Sequence, residues 1–255
     1  MSGAVLLQLE GPLARVVLSH PGRFNAMSRA MWRELKAVFQ SLPQHPGVRV
    51  VLVSGQDGHF CAGGDISEYP AFRFDEALLR DFHENDVWGG LSAILACDLP
   101  VLAQIEGNCM GAGVEIASCC DIRLAAQTAR FGAPIARLGF PMAPREAQLV
   151  AREVGALTAR EMLLEAAVLS APDMLARGFL NAVYADTELA AQCSQRALHA
   201  AQLAPQAARL NKQTLRALEA ADLPGSCLEQ AYTYANSAEH REGIAAFMDK
   251  RKPRF

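Results

Sequence analysis

Gly107-Asn-Cys-Met-Gly-Ala-Gly-Val-Glu-Ile-Ala-Ser-Cys-Cys-Asp121 is the stretch whose reading decides the fold of this chain. An apolar run before it, Pro100-Val-Leu-Ala-Gln-Ile105, has the character of a buried strand, and apolar residues at helical spacing follow it. The pattern is a strand, a tight glycine turn and a helix start. Gly111 and Gly113 let backbone approach a ligand with no Cβ in the way. The free N–H groups of the first helical turn suit a developing negative charge on oxygen. Glu115 falls two residues after Gly113, close to whatever those N–H groups hold. By itself such a glutamate is ordinarily only a partner for the helix dipole.

A second turn of the same kind changes that balance. Val48-Arg-Val-Val-Leu-Val-Ser54 reads as a strand and runs into His59-Phe-Cys-Ala-Gly-Gly-Asp-Ile66, again small residues at a strand end. Two such turns can each supply one N–H to a single oxygen, which makes an oxyanion hole.

The 255 residues fit one large domain, or a core with a small extension, and half of them are apolar. A formal net charge of −3 gives no reason to expect nucleic acid or an anionic membrane as partner. Seven scattered cysteines without CxxC spacing suggest free thiols in a reducing compartment, with Cys61, Cys109, Cys119 and Cys120 as small core hydrophobes. The first ten residues alternate into a strand, and no apolar run nears the ~20 residues that span a bilayer. A soluble cytoplasmic protein is the expectation. No zinc-ligand spacing, Walker motif or dinucleotide fingerprint is present, so no metal is expected.

Taken in order, Val5–Leu9 and Ala14–Ser19 flank Gly11-Pro12 as an opening hairpin. Ser28 caps a helix through Phe39 with Met31, Leu35 and Val38 on one face, and Val48–Val53 returns as a strand. Such strand–helix–strand units build parallel sheets. Ser67 to Phe82 reads as a long loop, and Leu78 to Cys97 as a helix. Ile122–Ala125 is a strand and Thr128–Pro134 a loop. Pro144–Val154 and Thr158–Leu169 are helices, and Ser170-Ala-Pro-Asp173 has a helix-start signature. From Thr187 onward the pattern is helical, which sets a candidate boundary near residue 190, dividing 1–190 from 191–255.

Phe60-Cys-Ala-Gly-Gly-Asp-Ile66, Glu106-Gly-Asn-Cys-Met-Gly-Ala-Gly-Val-Glu115, Cys120-Asp-Ile122, Phe131-Gly-Ala-Pro134, Leu138-Gly139 and Glu242 through Pro253 together resemble the crotonase, or enoyl-CoA hydratase/isomerase, family. The resemblance covers nearly the whole chain in the family's order. It implies an α/β fold, a ββα spiral core with a C-terminal helical extension that covers the pocket and builds a homotrimer or homohexamer. It implies an acyl-CoA substrate from the chemistry of fatty acid metabolism, with no cofactor beyond the coenzyme A of the substrate itself. Matched residue by residue, the thioester oxygen falls between the N–H groups of Ala62 and Ala112, and Glu115 is the catalytic acid/base. The loop with Arg23, Phe24 and Ala26, the turn residues Gly64, Asp65, Ile66 and Gly111, and Phe247 and Lys250 near the C-terminus become candidates for contact with substrate or CoA. His83, Glu84 and Asp86 lie on a segment that borders the acyl pocket in the family.

One departure bears on mechanism. Hydratases of this family hold a water between two glutamates, and the second is expected just after Pro134, where this chain has Ile135. Glu146, at a helix start, is an alternative acid, with a cap or an ion pair to Arg145 as its ordinary role. Three readings follow: an enoyl-CoA hydratase working through Glu115; another reaction on the same scaffold, such as isomerisation, decarboxylation or thioester hydrolysis; or a non-catalytic acyl-CoA-binding protein.

Overall fold

The computed structural model describes residues 2–219 and 232–255. Nine strands form two sheets among the described residues. The larger sheet takes β1 (Ala4–Glu10), β2 (Leu13–Ser19), β3 (Val50–Gly55), β4 (Val101–Ile105), β6 (Ile122–Ala126) and β9 (Ala182–Tyr184) side by side in that order. The smaller takes β5 (Asn108–Met110), β7 (Arg130–Gly132) and β8 (Val168–Ser170). Only the opening hairpin of the large sheet is antiparallel, with Leu7 opposite Val16, and every other pair in it is parallel.

Strands covered on both faces read as unbroken apolar runs. In β3 the period of two sends Val51 and Val53 to one core and Val50 and Leu52 to another. The first core holds Trp32, Phe60, Phe131 and Phe179. It is closed by α1 (Arg29–Ser41), α3 (Trp88–Ala96), α4 (Ala112–Ser118), α5 (Pro144–Val154) and α6 (Ala156–Leu164). The second core lies on the opposite face, where Leu189, Cys193, Ala197 and Ala201 of α8 (Leu189–Ala201) pack on Leu13, Val50, Leu52, Leu102 and Leu124. The all-helical stretch therefore begins with a helix that packs on the sheet and supplies part of the second core. Ser28 caps α1 by accepting from Met31 N–H, and Ser170 and Asp173 form a reciprocal capping box on α7 (Ala171–Ala176). Helices α9 (Pro205–Glu219) and α10 (Ala238–Met248) follow. No helix among the described residues is long and apolar enough to cross a membrane.

The structure departs from the sequence expectation in three segments. The expected loop after Ser67 is a short 3-10 turn, Ile66–Ala71, followed by α2 (Glu76–Asp81). Asp65 and Asp75 each cap these pieces with a carboxylate oxygen, a local signal hidden by the lack of apolar periodicity. The helix expected from Leu78 is α2 and α3 joined by a π-helical turn, Phe82–Val87. The expected loop and helix around 128–134 and 158–169 give up β7 and β8, three-residue strands that pair with each other across the small sheet.

The two strand-end turns are held together by backbone. Cys61 and Cys109 form a parallel bridge, with Cys61 N–H donating to Asn108 O at 2.9 Å and Met110 N–H donating to Cys61 O at 2.9 Å. Gly113 makes that closeness possible, since a Cβ there would stand 2.6 Å from Cys61 O. Gly113→Ala is expected to cost about 1–3 kcal/mol of stability. Urea denaturation checks this, and an unchanged midpoint would show that the turns are not so tightly apposed.

Candidate active site

Both turns open onto one cavity of about 320 Å³, lined among others by Gly64, Ile66, Met110, Ala112, Glu115 and Ile135. Its position outside the carboxyl ends of β3 and β4 is where parallel sheets present ligand sites.

The backbone donors follow from the bonding of the two turns. Met27 bridges Gly64 in parallel: Met27 N–H donates to Gly63 O at 2.8 Å and Asp65 N–H donates to Met27 O at 2.9 Å. A bridge of this form turns the N–H of Gly64 itself away from Met27. No acceptor for it occurs among the described residues, and Gly64 lines the cavity. On the other turn, Gly111 N–H is held by Gly132 O at 2.8 Å, while Ala112 is the first residue of α4, where no intrahelical acceptor exists. Gly111 adopts φ 48° and ψ −108°, a conformation open to glycine alone. The expectation for Ala62 is corrected here. Ala62 N–H donates to Phe24 O at 3.0 Å, so the donors left on this turn are Gly63 and Gly64, and Gly64, turned away from Met27, is the candidate.

Glu115 stands in the wholly buried α4 and lines the cavity with no hydrogen-bond or ionic partner for its carboxyl among the described residues. Burial, and then the charge of nearby Glu146, push its pKa up to about 8. Glu146 is 2 % exposed, and its Oε1 lies 3.1 Å from Nδ1 of His83. His83 comes from the π-helical turn and lines the cavity beside Ile135. Where sequence shows only an apolar residue at 135, the fold brings together an imidazole and a carboxylate 63 positions apart.

The remaining candidates divide clearly. Ala62, Gly64, Ile66, Gly111, Ala112 and Glu115 line the cavity. Arg23 and Asp65 pair with each other at 3.2 Å outside its lining. Burial raises the Asp65 carboxyl, but bonds from Ser67 and the charge of Arg23 outweigh it and hold the group below its ordinary value. Phe24 is exposed at the surface with its ring 4.6 Å from that of His59. Ala26 is buried and its carbonyl lies 2.7 Å from His20 Nδ1. The loop that carries these residues is fixed by Asn25, whose Nδ2 donates to Gln56 O and His59 O at 2.8 and 2.7 Å. Glu84 pairs with Arg145 at 2.9 Å, and buried Asp86 is taken by Arg29 and Arg33, so neither faces the cavity. Phe247 and Lys250 are exposed at the end of α10 and form no part of the lining.

Tyr69 and Arg73 are among the lining residues that the motifs miss. Burial pushes the Tyr69 hydroxyl up to about 12, so it stays a neutral phenol, and it sits where a Cβ on Gly64 would collide with it. The only sequence signal for them is an arginine set among aromatics in Tyr69-Pro-Ala-Phe-Arg-Phe74.

Comparison with known proteins agrees with this arrangement of turns on an α/β core. Residues 9–255 match the family model described as enoyl-CoA hydratase/isomerase. A probable enoyl-CoA hydratase of Mycobacterium tuberculosis is 28% identical over 254 residues, covering 98% of this chain and 97% of its own. A short-chain-enoyl-CoA hydratase of Clostridium acetobutylicum is 29% identical over 252 residues, with 97% and 95% covered. The crystal structure of an enoyl-CoA hydratase/carnithine racemase from Magnetospirillum magneticum superposes with a TM-score of 0.95 at 33% identity, covering 99% of this chain and 95% of that one. The chain belongs to the enoyl-CoA hydratase/isomerase family.

A carboxyl whose folded pKa is raised from 4.5 to about 8 binds a proton in the folded state that the unfolded chain releases. Its effect on stability therefore worsens as pH rises from 4.5 through about 8 and is constant above. Glu115→Gln removes that liability, which is on the order of a few kcal/mol at its largest. The variant is expected to melt higher than the parent, with a gap that widens between pH 5 and pH 8; a gap independent of pH would contradict a buried, uncompensated Glu115.

Proposed function

We propose that this chain is an enoyl-CoA hydratase that adds water to a 2-enoyl-CoA, with Glu115 as general acid and His83, backed by Glu146, as general base. The observation that carries the reading is a buried carboxyl with no polar partner among the described residues, beside unpartnered backbone donors in one cavity. The thioester oxygen accepts from Gly64 N–H and Ala112 N–H, which draws charge onto it as the β-carbon is attacked. A preformed donor of this kind contributes about 3 kcal/mol.

With Nδ1–H donated to Glu146, the His83 ring keeps a lone pair on Nε2 for a proton from water. The water oxygen bonds to the β-carbon, the π electrons move to the α-carbon and thioester oxygen, and Glu115 delivers its proton to the α-carbon. Transfer of the proton from the imidazolium to the Glu115 carboxylate through solvent restores the site. Two groups with separate tasks thus take the work of the paired glutamates, and Ile135 keeps that wall of the cavity apolar.

Crotonyl-CoA in heavy-oxygen water, read by mass spectrometry, is expected to give labelled 3-hydroxybutyryl-CoA. Glu115→Gln and His83→Ala are each expected to lower kcat by about 100-fold or more. The rate is expected to fall as pH rises through about 8, because only the protonated Glu115 donates. Parent-like turnover by His83→Ala would remove the imidazole from the mechanism.

The reading extends to a cytoplasmic homotrimer or homohexamer. It is supported by the free state of the six described cysteines and by apolar side chains left exposed at Leu157, Leu164 and Phe247. Light scattering on the purified protein is expected to give a mass of three or six chains, and a monomer would oppose the assembly.

A further inference from the structure

Arg73 lies in the connection between the Ile66–Ala71 turn and α2, and it lines the same cavity as Glu115. Its guanidinium is stacked over the Phe140 ring, 3.4 Å from the centroid, and over the Tyr69 ring at 4.6 Å. The two rings, 5.9 Å apart and inclined at 68° to each other, meet the cation on adjacent sides, which leaves N–H groups on its edge for polar recognition. Nη1 on that edge is buried and has no hydrogen-bond partner among the described residues. Arg73 also forms none of the ion pairs found among them, whereas Arg29, Arg33 and Arg123 each pair with a carboxylate.

Packing alone does not account for this residue. A site that needed only to close the cavity is better served by an apolar side chain, because a buried donor left unsatisfied carries its full desolvation penalty. Burial lowers the Arg73 pKa, with only Tyr69 acting against it, so no protein anion stands near the guanidinium. The groups that act on Glu115 are burial and Glu146, and Arg73 is not among them. Glu115 is held neutral, and Glu146 is engaged by His83. The other arginine of the lining, Arg137, donates to Ala166 O at 3.2 Å. The cavity is thus cationic on one wall with nothing of the protein to balance it.

What balances it comes with the ligand. The pantetheine arm that joins a thioester to coenzyme A carries no charge, and the phosphates lie at its far end. An anion inside a cavity that also receives the thioester carbonyl therefore belongs to the acyl group. We propose that the acyl chain taken by this site bears a carboxylate at its distal end, which pairs with the N–H edge of Arg73, so that the substrates are CoA monothioesters of unsaturated dicarboxylic acids. This inference rests on the reading of the cavity as an acyl-CoA site. A guanidinium meets a carboxylate with two parallel N–H donors, and an ester lacking that group leaves the buried edge unpaired.

The test uses saturated thioesters, which bind without turnover, so hydration does not enter it. Glutaryl-CoA and adipoyl-CoA are compared by calorimetry with pentanoyl-CoA, hexanoyl-CoA and free coenzyme A. The parent protein is expected to bind at least one of the two acidic thioesters about ten-fold or more tightly than the neutral ester of equal length. Arg73→Met is expected to abolish or reverse that preference, and Arg73→Lys to retain part of it. Equal or tighter binding of the neutral esters by the parent would overturn the inference, and needs no variant to be observed. An undiminished acidic preference in Arg73→Met would also overturn it. If none of the four thioesters binds more tightly than free coenzyme A, the acyl-CoA reading itself fails and takes this inference with it. A uniform weakening of all four thioesters in Arg73→Met, with the ratio between acidic and neutral esters unchanged, would overturn it too and leave Arg73 as a general part of the cavity wall.

Discussion

A carboxyl held in a buried cavity with no cation to meet it is the constraint on which the rest of this structure depends. Glu115 belongs to α4, all of whose residues are buried, and its nearest electrostatic neighbour is another acid, Glu146. Burial against a like charge favours the protonated form. A glutamic acid that is neutral near pH 7 can donate a proton where an ordinary carboxylate cannot. The same arrangement lowers the stability of the fold, so the cores on either side of the sheet must offset it. Function and stability pull in opposite directions at this residue.

The geometry around Glu115 comes from backbone more than from side chains. β3 and β4 end side by side, and the Cys61–Cys109 bridge carries their pairing one step into the turns beyond. Gly113 allows α4 to begin against the Cys61 carbonyl, and Gly111 turns the chain through a conformation that no residue with a side chain adopts. Gly64 on one turn and Ala112 on the other are among the N–H groups left without acceptors, and both residues line the cavity. In the proposed chemistry they hold the thioester oxygen. Because they are fixed by the sheet, they need no rearrangement when charge develops.

Much of this was legible in the sequence, for physical reasons that differ from element to element. The apolar runs of β3 and β4 and the glycines after them identify strand, turn and helix start, because periodicity and glycine spacing are local properties. Glu115 and Ala112 follow from the same local pattern. Which N–H of Cys61-Ala-Gly-Gly64 is free is not a local property. It is decided by Phe24 accepting from Ala62 and by Met27 bridging Gly64, contacts made by a loop about 40 residues earlier in the chain. The His83–Glu146 pair was hidden for the same reason: neither residue has a motif, and the two meet only because the fold sets a π-helical turn beside the first turn of α5. Arg73 reads as an ordinary surface arginine until the fold sets it against Tyr69 and Phe140 on the cavity wall. The Ile135 departure reads in the sequence as a loss; in the structure it leaves one wall apolar while an imidazole borders the same cavity.

The most direct test of the account is the protonation state of Glu115, read by infrared difference spectroscopy between the parent protein and its Glu115→Gln variant across pH. A protonated-carboxyl C=O band is expected in the parent at pH 7, absent from the variant and disappearing with a midpoint near pH 8. A carboxylate signal already complete at pH 7, with a midpoint near the ordinary 4.5, would contradict it.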